Sequence, residues 1–161
     1  MAMTAGADSP TDADTTVDEQ FRSLLEGLRT SIPAVQVLFA FLLTAPLQGE
    51  FDALTEAERV AFAIAFYSSG AASVLLVAPS VHQRLRAPVT GMQRHSKRHL
   101  IWATWMGIAG SVMALVAISA TVYLVSNVVF NFGVAAIATA LTTALALWSW
   151  LFVPLISFRS R

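Results

Sequence analysis

From His99 to Phe158 the chain carries no Asp, Glu, Lys or Arg. Such a stretch cannot dress a water-exposed surface. At 1.5 Å per residue its sixty residues are too long for one crossing of a hydrocarbon core of about 30 Å. It reads as at least two spanning helices, with Asn127-Val-Val-Phe-Asn131-Phe-Gly133 as the turn between them. Composition agrees: 56% of residues are apolar and 12% charged, about half the charged share usual in soluble domains.

Two further charge-free stretches precede it, giving four spans at about 32–48, 60–81, 100–126 and 133–156. The first is the marginal one, at the short end for a bilayer, with Ser31 as its expected cap and Pro33 in its opening turn. Ahead of it, residues 1–14 are small, polar and acidic and are expected to be disordered. Residues 15–30 read as a separate amphipathic helix opened by a Thr16-x-x-Glu19 capping box. Val17, Phe21, Leu24, Leu25 and Leu28 fall on one face; Asp18, Glu19, Arg22 and Glu26 fall on the other. An acidic start without an early basic patch predicts no cleavable signal. The expected fold class is all-α: an integral membrane four-helix bundle over residues 31–158 with an amphipathic N-terminal interfacial helix and a basic tail, 159–161.

Ten basic and ten acidic residues cancel in number but are segregated in position. Arg84, Arg86, Arg94, Lys97 and Arg98 join spans two and three with no acid among them, and Arg159 and Arg161 end the chain. The loop after span one instead holds Glu50, Asp52, Glu56 and Glu58 against Arg59. The positive-inside rule then places both termini in the cytoplasm of a multi-pass plasma-membrane protein. Trp102 and Trp105 open span three and Trp148 and Trp150 close span four, at the same interface as the basic loop.

Helices in lipid associate through close backbone approach and side-chain hydrogen bonds. Small residues at four-residue spacing mark candidate packing faces: Ala65, Ser69 and Ser73 beside Gly70; Ala103, Gly107 and Ser111; Ala136, Ala140 and Ala144 with Thr139 and Thr143 next to them. One such stripe is free to face a second copy or another subunit. Gln36 is a long amide roughly a turn inside the first span; it is expected to face the bundle and bond there. With Thr44, Ser69 and Ser73 it forms the candidate intramembrane polar set.

No Asp, Glu, Lys, Arg or His lies within a span, and intramembrane charges are what mark ion paths and proton relays. A four-helix proton-coupled exporter needs a carboxylate in its first span, a membrane cytochrome needs span histidines, and a quinone-linked disulfide enzyme needs cysteine; this chain has none of these. His95 and His99 are four apart, but cations surround them and no carboxylate or thiolate stands near, so no metal site is expected. The basic loop suits anionic lipid headgroups or a protein partner, and it also serves as a topology signal. No recognition module for nucleic acid is present.

The run Leu28-Arg29, Val35-Gln-Val-Leu-Phe-Ala-Phe-Leu-Leu-Thr-Ala-Pro46, Phe51 to Arg59, and Leu76-Val-Ala-Pro79 leading to His82 and Arg84 resembles a family of small uncharacterised actinobacterial membrane proteins. The likeness covers roughly residues 17–126. It implies an acidic amino-terminal segment, four spans and a basic cytoplasmic loop. Some relatives carry a sodium/proton antiporter label. This chain departs from the family pattern at Pro33-Ala34, where a threonine–glycine pair is common, and at Leu47, which replaces a phenylalanine. The functional expectation is a non-enzymatic accessory or structural subunit, with no catalytic residue and no cofactor, contacting the bilayer and another membrane complex or its own copies. The alternative is a small oligomeric transporter or channel.

Overall fold

The computed structural model describes residues 12–90 and 97–152, which are helical with no strand among them. Four helices follow in order: α1 (Asp12–Thr44), α2 (Glu56–Thr90), α3 (Lys97–Val129) and α4 (Phe132–Leu147). Two short 3-10 turns, Ala45–Leu47 and Gly49–Ala53, join α1 to α2, and α4 ends in a π-turn at Trp148–Phe152. All four helices are long and apolar enough to cross a membrane, over Arg22–Leu47, Glu56–His82, Leu100–Val129 and Phe132–Trp150. The expected acidic tail up to residue 11, Arg94 and His95 of the basic loop, and the tail 159–161 lie outside the described residues.

The largest departure from expectation is α1. The amphipathic segment and the first span form one 33-residue helix of about 50 Å, and residues 12–14 already belong to it. Thr30 and Ser31 do not cap a new helix: their hydroxyls donate back to the Gly27 carbonyl at 2.8 and 3.2 Å, which continues the preceding turn. Pro33 sits in the helix interior. Its fixed φ suits a helix, but it lacks the N–H that would bond the Arg29 carbonyl and its ring crowds that same carbonyl. Thr16 likewise lies four residues inside the helix rather than at its cap.

The centre of the fold is the antiparallel α2–α3 pair. Buried residues on α2 fall at Glu58, Phe62, Ala65, Ser69, Ala72, Leu76 and Pro79, with Ala61 buried beside Phe62. Those on α3 fall at Ala103, Gly107, Gly110, Ala114, Ala117 and Leu124. Steps of alternately four and three residues follow the 3.5-residue period of a left-handed seam. A strict four-residue stripe would drift off the contact by about 40° per step. Most of these side chains are alanine, glycine or serine, so the backbones come close. Gly110 shows how close: a Cβ there would lie 2.8 Å from Leu76 Cγ and Cδ2.

α1 packs on this pair through Leu28, Val35 and Leu42, seven residues apart and all buried. Its side chains enter glycine hollows on both partners: Phe39 lies 3.3 Å from where a Cβ on Gly70 would be, and Leu28 lies 3.6 Å from one on Gly107. An aromatic series ties the connecting turn to the same core. Phe51 meets Phe62 edge-on at 5.0 Å, Phe62 stacks on Phe66 at 6.0 Å, and Phe66 reaches Phe39 at 5.2 Å. α4 is different: among the described residues its backbone approaches α3 and neither α1 nor α2.

Candidate functional site

The candidate residues separate into three groups once placed in the fold. Ala65, Ser69, Ala103 and Gly107 of the small-residue set lie at the seam of α2 and α3. Ser69 is fully buried, and Gly70 and Gly107 each receive a large side chain from α1. Ser73 and Ser111 stand one position beside the seam, which instead runs through Ala72 and Gly110. The serine hydroxyls do not bridge helices. Ser69 Oγ donates to the Phe66 carbonyl at 2.9 Å, Ser73 Oγ to that of Ser69 at 2.9 Å, and Ser111 Oγ to that of Gly107 at 2.9 Å. Their polarity is satisfied within their own helices, and what they contribute to the seam is small size.

On α4 the packing face is displaced by one residue. Ala136, Ala140 and Ala144 are exposed, whereas Ala135 is fully buried. Thr143 shares a 2.8 Å hydrogen bond with Ser119 of α3. Thr139 lies one turn away, and its buried hydroxyl has no partner among the described residues. Gln36 also differs from expectation. It is exposed, next to exposed Val37, and its amide bonds nothing among the described residues. Thr44 is exposed too and donates to the Phe41 carbonyl at 2.8 Å.

The basic residues cluster by topology. Arg84 and Arg86 lie on the last turns of α2, and Lys97 and Arg98 on the first turn of α3, at the end where α1 begins. Arg98 is exposed; the side chains of the other three, and all of Arg94, lie outside the described residues. Trp102, Trp105, Trp148 and Trp150 are exposed towards that same end.

Among the described residues the most highly bonded polar cluster is at the opposite end, where the sequence reads simply as an acidic loop. Glu58 is 8% exposed. One carboxylate oxygen accepts from the Thr55 N–H and hydroxyl, each at 2.8 Å, and the other accepts from Asn127 Nδ2 at 2.8 Å. The Glu58 N–H returns a longer bond of 3.4 Å to Thr55 Oγ1. Thr55-x-x-Glu58 is thus a capping box that starts α2, and it also links α2 to the far end of α3. Beside it, Arg59 Nε donates to the Leu54 carbonyl at 3.2 Å and an Nη to that of Asp52 at 3.0 Å, with the guanidinium 5.9 Å from the Phe51 ring centre. The sequence signal was available in Thr55-x-x-Glu58; the partner, Asn127, is too far along the chain for any local pattern to indicate.

A model of a family of unknown function, DUF6328, matches residues 11–154. The chain belongs to that family. The match takes in all four helices, the capping box at Glu58 and the basic segment. No curated protein and no solved structure matches the chain.

Proposed function

We propose that this member of DUF6328 spans the plasma membrane four times with both ends in the cytoplasm. In this reading it acts without chemistry of its own, as an accessory or structural subunit of a larger membrane assembly. The observation that carries the proposal is the exposure of Gln36 on α1, about two turns beyond Arg29 in a charge-free apolar stretch and beside exposed Val37. An amide without a partner is costly against hydrocarbon. A protein surface that accepts its hydrogen bonds removes the cost. The length of α1 supports the same reading, because about 50 Å of helix exceeds a core of about 30 Å. Its first turns, with Glu19, Gln20 and Arg22 exposed, then project as a rigid continuation of the span.

The second reading is a small oligomeric transporter or channel, and it draws on the same residue: a Gln36 amide that meets a second copy would line a path between copies. Purification of the full chain in mild detergent tests both. Stoichiometric recovery of a different membrane protein, lost in Gln36→Leu, is the expected result. A monomer whose behaviour is the same in wild type and Gln36→Leu would sink the accessory role. A homo-oligomer that conducts ions in liposomes would replace it with the second reading.

A further inference from the structure

Because α4 leans on α3 without reaching α2, a groove of about 490 Å³ is left open between the three helices. Its walls are Ala57, Val60 and Ile64 of α2, Val116 and Tyr123 of α3, and Thr143 of α4. From Ala57 to Ile64 it descends about 10 Å, within the roughly 15 Å that one leaflet contributes to the hydrocarbon core. At its upper end, Ala57 and Val60 also border a second depression that includes Glu56 and Arg59. One continuous surface therefore carries an apolar channel of single-leaflet depth below and an adjacent acid and base above.

We propose that this surface holds one phospholipid with a zwitterionic headgroup, an acyl chain in the groove, the phosphate at Arg59 and the ammonium at Glu56. Arg59 is prepared for that role. Two of its five N–H groups are held by the Asp52 and Leu54 carbonyls, which fixes the guanidinium and leaves three N–H groups for an anion. Glu56 is exposed beside it. An anionic lipid is disfavoured, since Glu50, Asp52, Glu56 and Glu58 outnumber the single arginine of this loop. A headgroup that carries both charges answers both residues. The inference rests on the membrane-spanning part of the proposed function and is independent of any partner at Gln36.

Native mass spectrometry of the full chain, given equal amounts of phosphatidylethanolamine and phosphatidylglycerol in detergent, tests it. The wild-type chain is expected to retain phosphatidylethanolamine, and Ala57→Trp, an exposed position at the mouth of the groove, to abolish that adduct. Arg59→Gln is expected to weaken it about fivefold, the factor that corresponds to the loss of one net hydrogen bond. Ala136→Trp, on the exposed face of α4 outside the groove, leaves it unchanged. Phosphatidylglycerol adducts, formed at the basic end, persist in all three variants. The proposal is overturned if Ala57→Trp leaves the phosphatidylethanolamine adduct intact, if Ala136→Trp removes it equally, or if phosphatidylglycerol is lost from Ala57→Trp and Arg59→Gln as far as phosphatidylethanolamine is. Should Arg59→Gln disturb the loop it braces, Ala57→Trp decides alone, with helicity by circular dichroism as its control.

Discussion

α1 and α4 both flank the α2–α3 pair, α1 against both helices and α4 against α3 alone, and they hold to it by different means. α1 buries Leu28, Val35 and Leu42 at seven-residue intervals, and its Leu28 and Phe39 enter hollows left by glycine. α4 offers one fully buried alanine and one hydroxyl pair. The contrast teaches that in an apolar solvent, where burial from water contributes nothing to helix association, shape decides which contact is firm. A flank that is apolar all round is held only where its surface is complementary to its neighbour.

The comparison is broken most severely at Leu42, which is 2% exposed. Leu42→Ala is expected to lower stability by about 3 kcal/mol, whereas Leu141→Ala on the exposed face of α4 shifts it by less than about 0.5 kcal/mol. Reversible unfolding in mixed micelles measures both, and equal effects would remove the distinction between the flanks. Next comes the central pair on which both helices depend. Gly110→Ala, with Leu76 at 2.8 Å from the added methyl, is expected to cost about 2 kcal/mol through overpacking. Gly107→Ala, facing Leu28 at 3.6 Å, should be tolerated in the same assay. For α4, a double-mutant cycle on Ser119→Ala and Thr143→Ala should return a coupling of about 0.6 kcal/mol, the usual size for hydroxyl pairs between membrane helices. A coupling above about 2 kcal/mol would make α4 as firmly held as α1. The smallest change is expected at Thr139, where Thr139→Val removes a hydroxyl without a described partner and should stabilise slightly, by about 0.5 kcal/mol.

The four apolar stretches long enough to cross a membrane, their order, the turn near Asn131 and the segregation of acid from base were legible in the sequence, because charge is costly in a hydrocarbon core. The continuity of α1 was not. Thr30, Ser31 and Pro33 form a plausible helix start, and only the return bonds to the Gly27 carbonyl show that they extend an existing helix. The packing face of α4 was equally hidden. Small and apolar residues occupy all sides of it, so hydropathy cannot rank Ala136 against Ala135, and a four-residue rule follows a line that the actual seam does not keep. Gln36 was misplaced for a related reason, since the expense of an exposed amide predicts an internal partner only if nothing else can supply one. Glu58 was counted as loop charge, although its capping box was written in the local sequence and only its tie to Asn127 required the fold.

The meeting of Gly110 and Leu76 also constrains how the family can drift. Volume added at either position has to be surrendered at the other, and the pair should change together or not at all. Aligned members that carry alanine or serine at the position of Gly110 are expected to carry valine or alanine at that of Leu76. Frequent pairing of the larger residue at both positions would show that the two helices can separate without loss.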